Sequence, residues 1–224
     1  MDPEALTQLA KTVAIYALPV LFAITLHEAA HGYVARHFGD MTAHAQGRIS
    51  LNPVRHVDLV GTVIVPLVIL LLTAGKFLFG WAKPVPVNAH NLPNPRRDMA
   101  MVAVAGPITN FAVALVGLIA FQIVARSMEA PSFLAEPILG VLRWVYLFNL
   151  GLGIFNLIPL PPLDGGHFLP YIFPRASWTF LHQLEQYGPF ILILLVMTGA
   201  TRHIMGPALS IINGFYLWFV RLLF

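Results

Sequence analysis

Residues 12–31 read TVAIYALPVLFAITLHEAAH. Fifteen residues without a charge run straight into two histidines and a glutamate. An apolar run of this kind predicts a helix that crosses a lipid bilayer, which takes about 20 residues. Ionisable side chains in such a segment are costly and mark a functional site. The stretch therefore predicts a membrane protein with chemistry placed inside it.

Composition agrees. Of 224 residues, 58% are hydrophobic and 10% are charged, against about 25% charged in a typical soluble domain. The chain lacks the polar side chains to cover a water-facing surface. Its formal charge is +3, from 13 basic and 10 acidic residues. That is too few basic groups for a nucleic-acid footprint, and they suit the cytoplasmic ends of membrane helices instead. There are no cysteines, so any metal must be held by His, Asp or Glu. No cleavable signal peptide separates the first apolar run from HEAAH.

Six apolar segments follow one another, near 12–37, 60–82, 99–124, 138–160, 177–200 and 204–222. They predict an all-α integral membrane protein, a bundle of five to six transmembrane helices. We read it as one domain over 1–224, with a core at about 12–175 and C-terminal helices at about 177–222. The loops around 36–58 and 76–97 are rich in Arg and Lys, and the positive-inside rule puts both in the cytoplasm. The segment between them then either re-enters or crosses fully, and the loop charges favour re-entry. GWAKPVPVN, residues 80–88, forms its extended return limb, which membrane depth tolerates only beside protein or water. This topology puts the protein in the cytoplasmic membrane as a multi-pass chain, with its site nearer the cytoplasmic side.

In HEAAH, His27 and His31 lie four apart, one turn along one helix face. Two imidazoles at that spacing can hold one zinc ion, and the adjacent Glu28 can reach a water on the metal and act as general base. With nine His and five Glu in the chain, chance places such a motif on the order of once in a hundred sequences. A catalytic zinc takes three protein ligands. The candidate third is Asp164, in FNLIPLPPLDGGHF, residues 155–168, and it is the sole Asp after residue 98. Pro159, Pro161 and Pro162 open the preceding helix, and Gly165 and Gly166 let the chain turn close to a site.

These paired motifs resemble the site-2 proteases, the intramembrane zinc metalloproteases. AGPITN, residues 105–110, is similar to the family's segment between the two motifs. GRISLNPVRHVDLVGT and FGWAKPVPVN are similar to its compact prokaryotic branch, without PDZ or nucleotide-binding regulatory domains. The likeness covers about residues 20–175. It implies one Zn2+ per chain, bound by His27, His31 and Asp164, with Glu28 as catalytic base. It also implies that Asn156 helps hold substrate or the developing oxyanion. The substrates implied are transmembrane segments of other membrane proteins, with a regulatory membrane partner and no nucleic acid. The rival reading is a divalent-metal transporter or channel using the same His/Asp cluster, against which Glu28 argues, since transport needs no general base.

The remaining histidines, 37, 44, 56, 90, 167, 182 and 203, read as structural or interfacial. Arg55 and Asp58 read as an interface pair. Asn149 reads as an interhelical hydrogen-bonding residue, and Asn110 as facing the bundle interior. Glu185 reads as a solvated or water-lining group.

Overall fold

The structure is a computed structural model that describes residues 3–72, 80–127, 135–173 and 178–224. Its regular structure is all helical, with no strand among the described residues. Six helices carry the fold: α1 (Pro3–His37), α2 (Val65–Leu72), α3 (Pro95–Ser127), α4 (Ala135–Asn156), α5 (Trp178–Met197) and α6 (Ala200–Leu223). Among the described residues, α3, α4, most of α5, and α6 are each long and apolar enough to cross a membrane. At 35 residues and 1.5 Å per residue, α1 also exceeds the bilayer's thickness. The chain is thus an all-α, multi-pass membrane protein.

The helix ends follow local chemistry. α4 stops at Asn156, four residues short of the sequence expectation, because Pro159 has no N–H and its ring clashes with a carbonyl one turn back. The hydrogen bonds there shorten to i−3, from Leu157 N to Ile154 O and from Ile158 N to Phe155 O. Between α5 and α6 the chain turns at Gly199, whose φ of 74° lies in the left-handed region that glycine enters without penalty. α6 follows at once, so its start precedes the expected one.

The segment expected at 60–82 does not form a single helix. Residues 59–64 make a wide π-type turn and 65–72 continue as α2. Residues 73–79, within the expected segment, lie outside the described residues. Residues 80–88 form neither helix nor paired strand, and Asn88 at their end is in the extended region; their alternate N–H groups point the same way, as in an extended chain. The N–H groups of Trp81 and Lys83 donate to Gly61 O and His56 O. Arg48 Nη2 donates to the carbonyls of Lys83 and Pro84 at 2.7 and 3.2 Å. Arg55 and Asp58 do not pair as expected: Arg55 donates to Gly47 O, while Asp58 accepts from Gly61 N. Asp58 is drawn to the orphan N–H groups at the start of the next helix, where a carboxylate is favoured.

The core lies where α1, α3 and α4 meet. Small residues bring the last two together: a Cβ on Gly117 would sit 2.9 Å from Val145 Cγ1, and one on Gly153 2.8 Å from Phe111 Cε1. Close backbone approach through small residues is how membrane helices gain packing energy where lipid is as apolar as the side chains. Leu150, Ile154, Tyr216 and Val220 extend this core towards α6.

Candidate metal centre

His27 and His31 sit in the C-terminal third of α1, with 5% and 8% of their surface exposed. The opposing wall is the irregular chain after α4. Leu160 N donates to Ile158 O and Leu163 N to Leu160 O, which folds the proline-rich stretch into consecutive tight turns. At Gly165 the returning chain passes so close to the carbonyls of Leu157 and Ile158 that no Cβ fits. This close return delivers Asp164 to the two rings.

The three residues converge. His27 Nε2 lies 3.1 Å from Asp164 Oδ2, and His31 Nε2 lies 3.3 Å from Asp164 Oδ1. The two Nε2 atoms are 3.0 Å apart. Candidate ligand atoms from all three residues fall within 4.8 Å of one another.

The donor chemistry of this cluster fits a divalent cation. His27 Nδ1 faces Asn110 Oδ1 at 2.6 Å, and His31 Nδ1 faces Val102 O at 2.8 Å. Both partners are oxygens that only accept, so each Nδ1 carries the proton. A neutral imidazole has one N–H, so in the neutral rings both Nε2 atoms would present bare lone pairs. They point at each other and at a carboxylate whose Oδ2 is buried without a hydrogen-bond donor. A proton on one ring would relieve one such contact, whereas one cation relieves all of them. Metal-binding histidines are ordinarily held in this way, with the second ring nitrogen donating to an oxygen.

α3 supplies the floor. A Cβ on Gly106 would lie 2.5 Å from His27 Cε1 and 2.6 Å from His31 Nε2. Residues 102, 106 and 110 thus form one helical stripe of carbonyl, gap and amide beneath the rings. Sequence reading placed Asn110 in the interior; its contact with the histidines, and that of Gly106, went unseen. The available signal was the four-residue spacing in GPITN, which puts glycine and asparagine on the same face.

Glu28 is half-buried beside the cluster, and its Oε2 accepts the N–H of Val85 at 2.7 Å. The extended segment therefore touches the predicted base directly. Asn156 is half-buried and donates to Leu152 O of its own helix at 3.0 Å. His56 is buried and bonded to Ser50 O at 2.8 Å. His167, His182 and Glu185 line a cavity of about 230 Å3 between the Asp164 turn and α5.

A His–His–Asp cluster that could hold a metal ion, set inside a helical membrane bundle beside a glutamate, points to a class of protein, and comparison with known proteins names the family. Residues 122–198 match the family described as peptidase family M50, a stretch that includes Asp164 and lies C-terminal to HEAAH. The chain is 38% identical over 197 residues to "Putative zinc metalloprotease YwhC" of Bacillus subtilis, which covers 86% of this chain and 84% of that protein. It is 28% identical over 184 residues to "Putative zinc metalloprotease Rip2" of Mycolicibacterium smegmatis, covering 82% and 66%. "Zinc metalloprotease MJ0392" of Methanocaldococcus jannaschii is 25% identical over 162 residues, 72% of this chain and 35% of that protein. No solved structure matches this chain. The chain belongs to peptidase family M50, the site-2 proteases, and is a zinc metalloprotease of the membrane.

Proposed function

We propose that the chain is an intramembrane endopeptidase, with His27, His31 and Asp164 as its zinc ligands and Glu28 as its general base. The observation that carries this is the convergence of two buried imidazoles and the partly buried carboxylate of Asp164, within 4.8 Å of one another, with Asp164 Oδ2 buried and without a hydrogen-bond partner. Bound zinc would polarise the scissile carbonyl and acidify the attacking water. Glu28 takes the proton from that water and passes it to the leaving amine nitrogen. Oε1 of Glu28 serves this role, while the Val85 N–H holds Oε2. Asn156 is assigned to the developing oxyanion, once its amide leaves Leu152 O.

The substrates are peptide bonds in or near transmembrane segments of other membrane proteins, and the protein acts in the cytoplasmic membrane with its site towards the cytoplasm. A substrate helix must unwind to expose its peptide groups. The extended segment supports a place for it to dock as an added strand. Trp81, Lys83 and Val85 donate their N–H groups inward. Pro84 and Pro86 have no N–H to donate, and Pro84 O already accepts from Arg48, so the alternate residues Ala82 and Pro86 are left to offer carbonyl acceptors to an unwound chain.

The test is zinc content and cleavage in detergent-purified protein. Wild type should hold about one zinc per chain, and Asp164→Ala clearly less. Glu28→Gln should keep its zinc and lose cleavage of a transmembrane reporter by at least about a hundredfold. Full activity in Glu28→Gln would sink the general-base assignment; unchanged zinc in Asp164→Ala would sink the ligand set.

A further inference from the structure

His31 and His27 are held by different kinds of partner. His31 Nδ1 faces a backbone carbonyl, Val102 O. A carbonyl can only accept, so the tautomer of His31 needs no further control. His27 Nδ1 faces the side-chain amide of Asn110. An amide has an accepting end and a donating end. If Asn110 turned over, its NH2 would face His27 Nδ1, the ring proton would move to Nε2, and the nitrogen that faces Asp164 would no longer be free to bind a metal.

We propose that Asn149, two hydrogen bonds away from the metal site, is a positioning residue that locks Asn110 and so fixes the metal-ready tautomer of His27. The proposal rests on His27 being a zinc ligand. Asn110 Nδ2 donates to Asn149 Oδ1 at 2.8 Å, with a longer contact of 3.4 Å to Ala23 O. Asn149 Nδ2 in turn donates to Val145 O at 2.8 Å, on its own helix. Val145 O is a backbone carbonyl with no donating alternative. The direction of the whole chain is therefore set from that end, and the longer contact to Ala23 O, also a carbonyl, favours the same orientation of Asn110 more weakly. Val145 accepts from Asn149, Asn149 accepts from Asn110, and Asn110 accepts from His27.

Both asparagines are fully buried, so no water is at hand to correct a reversed amide. Reversing Asn110 would set oxygen against oxygen at Asn149 and N–H against N–H at His27, and unmet buried polar groups are expensive. The one ligand that relies on a reversible side chain is thus the one backed by a second residue. Asn149 comes from α4 and Asn110 from α3, so the packing of these two helices is coupled to the state of a ring on α1.

The experiment measures zinc dissociation constants by chelator competition on the full chain in micelles. Asn149→Leu keeps the volume and removes the acceptor. It should weaken zinc binding by about 10- to 100-fold, the usual effect of losing an outer hydrogen bond to a metal-binding histidine. Asn110→Asp combined with Asn149→Leu should return affinity to within a few-fold of wild type. A carboxylate has no donating end to show His27, so it needs no orienting partner. If Asn149 merely glues two helices, Asn110→Asp rescues nothing, and that result overturns the proposal. Unchanged affinity in Asn149→Leu overturns it as well. Should Asn149→Leu fail to fold, Asn149→Asp decides. In protonated form it accepts from Asn110 and donates to Val145 as asparagine does, so it should bind zinc within a few-fold of wild type, and a 10-fold loss would refute the relay. A wild type without zinc would instead bring down the ligand assignment itself, whatever the variants do.

Discussion

At position 106 a single methyl group decides whether the site can exist. Gly106 lies against the imidazoles of His27 and His31, where a Cβ would come within 2.7 Å of three ring atoms. Real Cβ contacts are not this short, and the rings cannot withdraw, since Asn110 and Val102 hold their far sides. Gly106→Ala should therefore abolish stoichiometric zinc binding and proteolysis, while α3 itself gains slightly from the better helix former. Zinc analysis beside circular dichroism checks it; bound zinc with normal activity would refute the packing argument. This residue also marks how far sequence reading reaches. That HEAAH and LDG belong together was legible because ligand chemistry would demand particular residue types at particular spacings, and the fold does bring them together. Gly106 and Asn110 were not legible, because a small residue and a buried amide in an apolar helix serve ordinary packing just as well. Only the crossing of α1 over α3 shows which role applies.

The elements around the site are tied down outside the helices. Just beyond α1, Asp40 is fully buried and gathers the chain on both sides. Its carboxylate accepts from Thr42 N and Oγ1, from Asn88 N, and from Asn91 Nδ2. This clasp fixes the end of α1 to the far end of the extended segment, and so sets where Val85 meets Glu28. Burial pushes the Asp40 carboxyl up, but the hydrogen bonds from Thr42, Asn88 and Asn91 outweigh it and hold the group below the ordinary carboxylate range. A carboxylate depressed in the folded state stabilises fully above its unfolded value of about 3.9 and loses that contribution as pH falls through the folded value. Asp40→Asn should cost on the order of 2 kcal/mol at neutral pH, since it sets a donor among donors. The gap between the two proteins should be constant above about pH 4 and narrow only below it, as the pH falls towards the depressed folded value. Thermal unfolding in detergent from pH 7 to 3 measures it, and a gap that does not narrow at all below pH 4 would exclude the clasp. The element boundaries tell the same story about legibility. Pro159 and Gly199 announce their breaks in the sequence. The extended form of residues 80–88 was readable from its prolines, but its attachment to Glu28 depends on Arg48 and Asp40, remote residues with no motif to flag them.

At the scale of the whole molecule, the metal would join parts of the chain that little else connects. His27 and His31 belong to α1; Asp164 lies more than 130 positions further on, in a turn held against α3 and braced by a few apolar residues, among them Ile158, Leu163 and Leu192. α5 is mostly lipid-facing, with 11% of its apolar window buried. A ligand that binds only the folded state stabilises it by about 2.7 kcal/mol at a hundredfold excess over its dissociation constant. Wild type should therefore unfold at a higher temperature with zinc than with chelator, and Asp164→Ala should lose most of that difference. The metal-free comparison is the sharper one. If the cluster were an imidazolium–carboxylate pair, removing Asp164 would strand a buried charge and cost about 3–5 kcal/mol with no metal present. If it is a metal site, the empty cluster holds three acceptors facing one another, and Asp164→Ala relieves them. The metal-free variant should then be at least as stable as metal-free wild type, and less stable only when zinc is supplied. A variant that is several kcal/mol weaker in chelator would mean that protons, and not a cation, hold these three residues together.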